Sequence, residues 1–225
     1  MPKKKLIHFR ENLSFPHLFQ PSYLDLQEDF FLRSLWRREF FRNDHPVILE
    51  LGCGKGEYTV GLAMKYPEKN FIGIDFKGAR LWRGCKTVEE QKLGNVAFLR
   101  TRVDLLGKLF GAGEIDEIWI TFPDPQPGRE RKRLTSPVFL SKYSGILKED
   151  GIIHLKTDDL SFYQYTLEVI SAGDHAIIHS TEDLYTADVQ EDANLIRTFY
   201  ERIWLEQNKK INYLKFSLNP DAFQT

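Results

Sequence analysis

Val47-Ile48-Leu49-Glu50-Leu51-Gly52-Cys53-Gly54-Lys55-Gly56 runs from an apolar, β-branched pentad straight into three alternate glycines. The pentad predicts a strand buried on both faces, since a parallel sheet covered by helices has little room for polar positions. The glycines predict a tight turn, because a residue without Cβ lets the backbone reverse and lets a ligand approach the amides that open the next helix. Residues 57–66 then carry helical spacing and stop at Pro67, and residues 70–75 read as a second strand. The same alternation continues to the end of the chain. It predicts a helix over 77–93, a strand over 96–103, a short helical turn, a strand over 115–121, a helix over 137–147 and a strand over 151–157. A helix over 160–171, a strand over 175–180, an acidic loop, a helix over 193–206 and a strand over 211–216 follow. Such βα alternation requires a single doubly wound, mostly parallel sheet of Rossmann-like α/β class with right-handed crossovers. A terminal hairpin would add an antiparallel C-terminal edge strand.

Upstream of the pentad, Leu26, Phe30, Phe31, Leu35 and Phe40 recur at helical spacing and predict a helix over 25–42, ending near Asn43 and Pro46. The chain therefore divides into residues 1–45, a basic segment with a helix, and residues 46–225, the α/β domain. Its 225 residues are 42% hydrophobic, with 28% charged and 13% aromatic side chains, and a mean hydropathy of -0.39. These values fit a packed core and exclude membrane-embedded, disordered and fibrous classes. Cys53 and Cys85 are too few for a disulfide scaffold or a cysteine-based zinc site, and the six histidines (8, 17, 45, 154, 175, 179) show no ligand spacing, so no metal is expected. The N-terminus is basic without an apolar stretch long enough for a signal peptide, which points to the cytoplasm. The formal net charge of -1 conceals local clustering. The first ten residues hold four basic side chains and no acid, and Arg129-Glu130-Arg131-Lys132-Arg133 holds four in five. Residues 182–194 hold five acids and no base.

The G-x-G-x-G spacing of Gly52, Gly54 and Gly56 departs from the dinucleotide fingerprint and favours S-adenosylmethionine over NAD. Asp75 closes the second strand 23 residues after Gly52, where an acid accepts hydrogen bonds from ribose hydroxyls. Asp104 is expected to close the third strand in the same way. A rim of Glu50, Asp75, Asp104 and Asp124 suits a ligand bearing a sulfonium and an ammonium, and would repel a pyrophosphate. The competing reading makes each acid a helix cap. Cys53 reads as a small turn residue. After the fourth strand, Thr121-Phe122-Pro123-Asp124-Pro125-Gln126-Pro127 holds one carboxylate on a proline-stiffened loop, at the sheet end where α/β enzymes place their chemistry. The basic run that follows is read as a source of phosphate contacts to a nucleic acid.

Four motifs over residues 47–216 resemble the bacterial tRNA (guanine-N7)-methyltransferases: the glycine loop 49–56, the proline and basic loop 123–134, Leu155-Lys156-Thr157-Asp158, and Thr198-Phe199-Tyr200-Glu201. The first motif is shared by many methyltransferases; the other three, in this order, are specific to the family. The resemblance implies a class I methyltransferase domain over 46–225 that methylates N7 of a guanine in the tRNA variable loop. It also implies that Glu50, Gly52, Gly54, Gly56, Asp75, Asp104 and Asp124 hold S-adenosylmethionine, with Asp124 as the catalytic residue. Asp158, Thr198 and Glu201 would meet the tRNA, joined by Arg129, Arg131, Lys132 and Arg133. Thr198 and Glu201, three apart on a helix, fit an N-terminal capping box equally well. The chain departs from the family pattern at Gln126, where a Trp is usual, at Gly128, where a Lys is usual, and in a loop two residues shorter with no histidine. Those departures leave two alternatives: a catalytically silent tRNA-binding protein of the same fold, or a methyltransferase for another substrate.

Overall fold

The computed structural model describes residues 2–186 and 192–223; part of the expected acidic loop, residues 187–191, lies outside them. In chain order the elements are α1 (Pro2–Glu11), β1 (Leu18–Phe19), β2 (Val47–Leu51), α2 (Glu57–Lys65), β3 (Asn70–Ile74), α3 (Gly78–Gln91), β4 (Val96–Leu99) and α4 (Leu106–Leu109). There follow β5 (Ile115–Thr121), α5 (Pro137–Ser144), β6 (Leu147–Thr157), α6 (Leu160–Ala172), β7 (Ala176–Thr181), α7 (Phe199–Glu206) and β8 (Asn212–Ser217). Among the described residues the eight strands form one sheet in the order β1-β4-β3-β2-β5-β6-β8-β7. Every pairing from β1 to β6 is parallel, and β8 is antiparallel to both β6 and β7. The expected antiparallel C-terminal strand is therefore β8, slotted inside β7 at the end of an otherwise parallel sheet.

The β2 pentad explains why the sheet sits in the middle. Val47, Leu49 and Leu51 face a layer that includes Trp36, Leu140, Tyr143 and Phe162, while Ile48 faces a layer that includes Tyr58, Leu62, Leu81 and Val88. Each such aliphatic side chain, fully buried, contributes about 1.5–3 kcal/mol of transfer free energy. Glu50 falls on the Ile48 side and is the polar exception in the strand. Among the described residues, no helix is long and apolar enough to cross a membrane.

The N-terminal segment departs from expectation. Of the residues expected to line a helix, Leu26 and Phe30 are buried, Leu35 and Phe40 are half-buried and Phe31 is exposed; residues 25–42 form turns, and only Trp36–Phe41 is helical, in the wide π form. The cause lies across the sheet. Glu114 accepts hydrogen bonds from the amides of Ser34 (2.8 Å) and Trp36 (3.0 Å), and the Phe30 amide donates to the Lys108 carbonyl (2.8 Å). These bonds draw the amides out of the helical ladder that the apolar period alone would have formed. Two elements in this segment escape the apolar pattern altogether. β1 joins the sheet edge through the Phe98 amide to the His17 carbonyl (2.7 Å) and the Arg100 amide to the Phe19 carbonyl (2.8 Å). α1 lies on α3, with the His8 ring stacked 3.8 Å from Trp82 and the Arg100 guanidinium 4.9 Å over Phe9.

Other boundaries also move. β6 begins at Leu147 and not at residue 151, so the helix before it ends at Ser144 and not at residue 147. β4 ends at Leu99 and not at residue 103. The helix expected over 193–206 begins only at Phe199, after a short 3-10 turn at Asp192–Asn194. The Lys156 ammonium takes the carbonyls of Ala193 (2.5 Å) and Ile196 (3.4 Å), which would otherwise serve a continuous helix.

Candidate functional site

The carboxyl ends of β2, β3 and β5 bring three loops together. Gly52, Gly54 and Gly56 all have positive φ, at 72°, 58° and 68°, a region that side-chain-bearing residues rarely adopt. They do so for different reasons. At Gly56, which caps α2, an added Cβ would lie 2.6 Å from the Phe98 ring, so this glycine lets helix and sheet approach. At Gly52 and Gly54 an added Cβ would have no neighbour closer than 4.0 Å. Their bare backbone borders open space that a ligand can enter. Cys53 between them is buried, donates its amide to the Ile74 carbonyl (3.0 Å), and has its thiol pushed well up by burial, as suits an inert turn residue.

Asp75 ties this loop to the next one. Its carboxylate accepts the Gly54 amide (3.0 Å) and the Lys77 amide (2.7 Å), which fixes both loops around one acid. Glu50 lies deeper. Its oxygens accept hydrogen bonds from the Thr59 amide (2.8 Å), the Thr59 hydroxyl and the Thr121 hydroxyl (2.7 Å). Burial pushes its carboxyl up to about 7, against the downward pull of those bonds. A cation bound beside it would favour its charged form.

Two adjoining clefts open here. One, of about 440 Å3, is bounded by Gly52, Asp75, Phe76, Arg80, Phe122 and Asp124 among others. The other, of about 100 Å3, is bounded by Glu50, Gly52, Arg80, Thr121, Phe122, Thr198 and Tyr200 among others. Gly52, Arg80 and Phe122 are common to both, so the clefts form one continuous trough. Asp124 is exposed and accepts the Gln126 amide (3.0 Å), a turn closed inside its own loop. A larger concavity, about 550 Å3, lies at the amino ends of the strands beside Arg37, Arg42 and Glu114. Glu114 is committed there to the amides of Ser34, Trp36 and Gly111, and the place gathers no reactive set.

The remaining expected residues separate into those at the trough and those behind it. Thr198 caps α7 and borders the smaller cleft. Glu201 completes a capping box with it and is fully buried, paired with the equally buried Lys156 ammonium at 2.8 Å and with the Tyr185 hydroxyl at 2.8 Å. Glu201 touches no open surface; it seats Thr198. Asp158 is partly exposed beyond β6 and pairs with Lys209 (3.1 Å). In the basic loop Arg129, Arg131 and Lys132 are exposed, and Lys132 reaches the larger cleft. Arg133 points the other way: it is buried over the Tyr165 ring at 4.2 Å and donates to the Pro125 carbonyl (3.0 Å), bracing the Asp124 loop from behind. Asp104 lies in a 3-10 turn five residues past β4, held by Arg102 at 2.8 and 3.0 Å. It is Arg102 that borders the cleft, and its guanidinium holds the Asp104 carboxyl below the usual range.

Residue-by-residue reading passed over two members of this site. Lys156 stood in a motif with no role of its own, although a lysine closing the apolar run Ile152-Ile153-His154-Leu155 signals a buried counter-ion. Burial lowers its ammonium, and Glu201 works against that shift. Arg80, at the start of α3, gave no signal; only the fold carries it to the trough.

Residues 44–214 match the methyltransferase family described as "Putative methyltransferase". The chain is 49% identical over 220 residues to the tRNA (guanine-N(7)-)-methyltransferase of Christiangramia forsetii, covering 96% of this chain and 98% of that protein. It is 47% identical to the protein of that name from Bacteroides thetaiotaomicron, covering 97% and 87%, and 50% identical to that of Porphyromonas gingivalis, covering 93% and 88%. Among solved structures, the 16S rRNA methyltransferase KamB superposes with a TM-score of 0.63 at 15% identity, covering 84% of this chain and 95% of that one, which is a likeness of fold. With a family match across most of its length and relatives near half identical from end to end, the chain belongs to the tRNA (guanine-N(7)-)-methyltransferase family.

Proposed function

We propose that this chain transfers a methyl group from S-adenosylmethionine to N7 of a guanine in the tRNA variable loop. The observation that carries the reading is the trough itself. A pre-set carboxylate at Asp124 opens on the same space as the glycine loop, Glu50 and Asp75, with exposed cations beside it. The residues fit S-adenosylmethionine: Gly52 and Gly54 leave room for it, Asp75 offers acceptors for ribose hydroxyls, and Glu50 offers a buried anion for its positive charge. Gly56 keeps α2 close enough for the amides at its start to line the loop. Asp104 contributes by fixing Arg102 at the edge of the larger cleft. S-adenosylmethionine supplies an electrophilic methyl on a sulfonium.

Guanine N7 carries an in-plane lone pair and no proton, so the chain needs no strong base. Its task is to align the base and to tolerate a positive charge that grows on the purine ring. The Asp124 carboxylate suits both, accepting hydrogen bonds from the N–H edge of guanine and favouring the cationic product electrostatically. A pre-organised contact of that kind is worth about 10²–10³ in kcat. Arg129, Arg131 and Lys132 would grip phosphates; Thr198 and Asp158 would meet the nucleotide; Arg133, Glu201 and Lys156 hold those groups in place. A base engaged inside folded tRNA must first be exposed. We assign residues 46–225 to the methyltransferase domain, residues 1–45 to its basic N-terminal addition, and the activity to the cytoplasm.

Transfer of labelled methyl from S-adenosylmethionine to bulk tRNA tests the reading. Incorporation into tRNA by wild type, and its loss in Asp124→Ala with an unchanged melting temperature, is the expected result. Binding of tRNA without transfer would select the silent binding protein, and label in a different acceptor would select another substrate.

A further inference from the structure

The mouth of the smaller cleft carries a stack of aromatic rings that the assignments above leave without a task. Phe199 and Tyr200, in the first turn of α7, are 48% and 49% exposed, a large apolar area to leave in water beside a trough. They are not equivalent. Phe199 is committed: the Lys55 ammonium covers its ring at 4.6 Å, and its amide donates to Glu57 at 3.2 Å. Tyr200 borders the cleft, its hydroxyl makes no hydrogen bond among the described residues, and one ring face is backed by Trp204 at 6.0 Å and 29°. Trp204 in turn rests on Phe122 at 4.8 Å. Phe122 has a φ of 49°, a left-handed backbone that a bulky residue adopts only when its surroundings impose it. The Phe122 amide is pinned to the Lys156 carbonyl at 2.8 Å, and Lys156 is the residue whose ammonium pairs with Glu201 in α7. One buried lysine thus joins the loop of Asp124 to the helix that carries Tyr200.

We propose that Tyr200 is the face on which the target guanine stacks, with Trp204 and Phe122 as its backing. The inference rests on the guanine N7 reading and deepens it. Attack through an in-plane lone pair requires the base to present its edge to the trough, which leaves its two faces as the surfaces by which it can be held. Asp124 can address an edge; a ring at the mouth can address a face. Methylation leaves a cationic purine, and a cation over an aromatic face is held more tightly than a neutral base. Tyr200 therefore favours the charge as it develops, so its removal acts on the chemical step as well as on binding.

The test compares Tyr200→Leu and Tyr200→Phe with wild type in methyl transfer to bulk tRNA and in binding of 7-methylguanosine 5′-monophosphate and guanosine 5′-monophosphate, followed by tryptophan fluorescence. Since one base–aromatic stack supports about 5- to 150-fold, Tyr200→Leu is expected to lower kcat/KM for tRNA within that range, with more than about twofold of the loss in kcat, while Tyr200→Phe stays within about twofold of wild type in both. The S-adenosylmethionine Kd and the melting temperature should not move in either variant. Wild type and Tyr200→Phe should bind the methylated nucleotide more tightly than the unmethylated one, and Tyr200→Leu should lose that preference. Turnover by Tyr200→Leu within about twofold of wild type, an equal loss in both variants, or an unchanged nucleotide preference in Tyr200→Leu would each overturn the proposal. A wild type that transfers no methyl to tRNA but shows a Tyr200-dependent preference for the methylated nucleotide would refute the parent reading and uphold the platform.

Discussion

Glu50→Gln should stabilise the free protein at neutral and alkaline pH while weakening its hold on S-adenosylmethionine. The Glu50 carboxyl titrates at 4.5 when unperturbed and at about 7 in the fold, raised chiefly by burial. At about 1.4 kcal/mol per pH unit, the ionised side chain therefore destabilises the fold by about 3 kcal/mol once the pH exceeds 7. Glutamine is isosteric and does not titrate, but its amide nitrogen cannot accept all the bonds that Thr59 and Thr121 donate, which costs about 1 kcal/mol. The net gain at pH 8 is about 2 kcal/mol, or about 4–8 °C in Tm for a chain of this size. Between pH 4.5 and 7 the folded wild type keeps a proton that the unfolded chain has shed, so its stability falls as pH rises through that window. The variant has no such slope. At pH 5 the gap should close or reverse. Circular dichroism melts of both proteins from pH 5 to 8, with calorimetry of cofactor binding at pH 8, measure the two effects. A gap in Tm that does not widen with pH, or a variant that binds the cofactor as wild type does, would refute the reasoning.

Lys156→Met strands Glu201 as a buried, uncompensated charge and should cost about 3–5 kcal/mol in urea denaturation, with part of the loss recovered on adding Glu201→Leu. Gly56→Ala meets both a φ of 68° and the Phe98 ring, so it should lower stability by at least about 1 kcal/mol and loosen the cofactor loop. Replacing Arg129, Arg131 and Lys132 together by Ala should flatten the dependence of log Kd for tRNA on log salt by about 2. Arg133→Ala should leave that slope alone and lower Tm instead, because its guanidinium is spent on Tyr165 and Pro125; a slope that moves with Arg133 would reverse the assignment.

Where hydrophobic period and glycine spacing act locally, sequence and fold agree. The β2 pentad, its turn and α2 stand where residues 47–66 predict them, because a doubly buried strand and a φ-positive turn are decided by side chains a few residues apart. The register of acids at the sheet's carboxyl end was likewise legible at Glu50, Asp75 and Asp124. It was misleading at Asp104, where β4 stops early and a neighbouring arginine claims the carboxylate. Residues 25–42 mislead for a long-range reason: Glu114, some eighty positions away, takes the amides that helical spacing would have paired. The same holds at residues 193–198, where Lys156 takes the carbonyls. Of the Thr198 and Glu201 pair, spacing alone left a capping box and a shared contact face equally open. The structure contains the box, and burial of Glu201 follows from a lysine 45 positions upstream that no local window includes.

The central claim, methylation at guanine N7, is tested most directly by position. A single tRNA transcript treated with the protein and S-adenosylmethionine, then reduced and cleaved with aniline, breaks only where N7-methylguanosine stands. The account predicts one new break, at a guanine in the variable loop, absent when that guanine is replaced by adenine and absent with Asp124→Ala. Label incorporated without a break, or a break outside the variable loop that survives the adenine replacement, would contradict it.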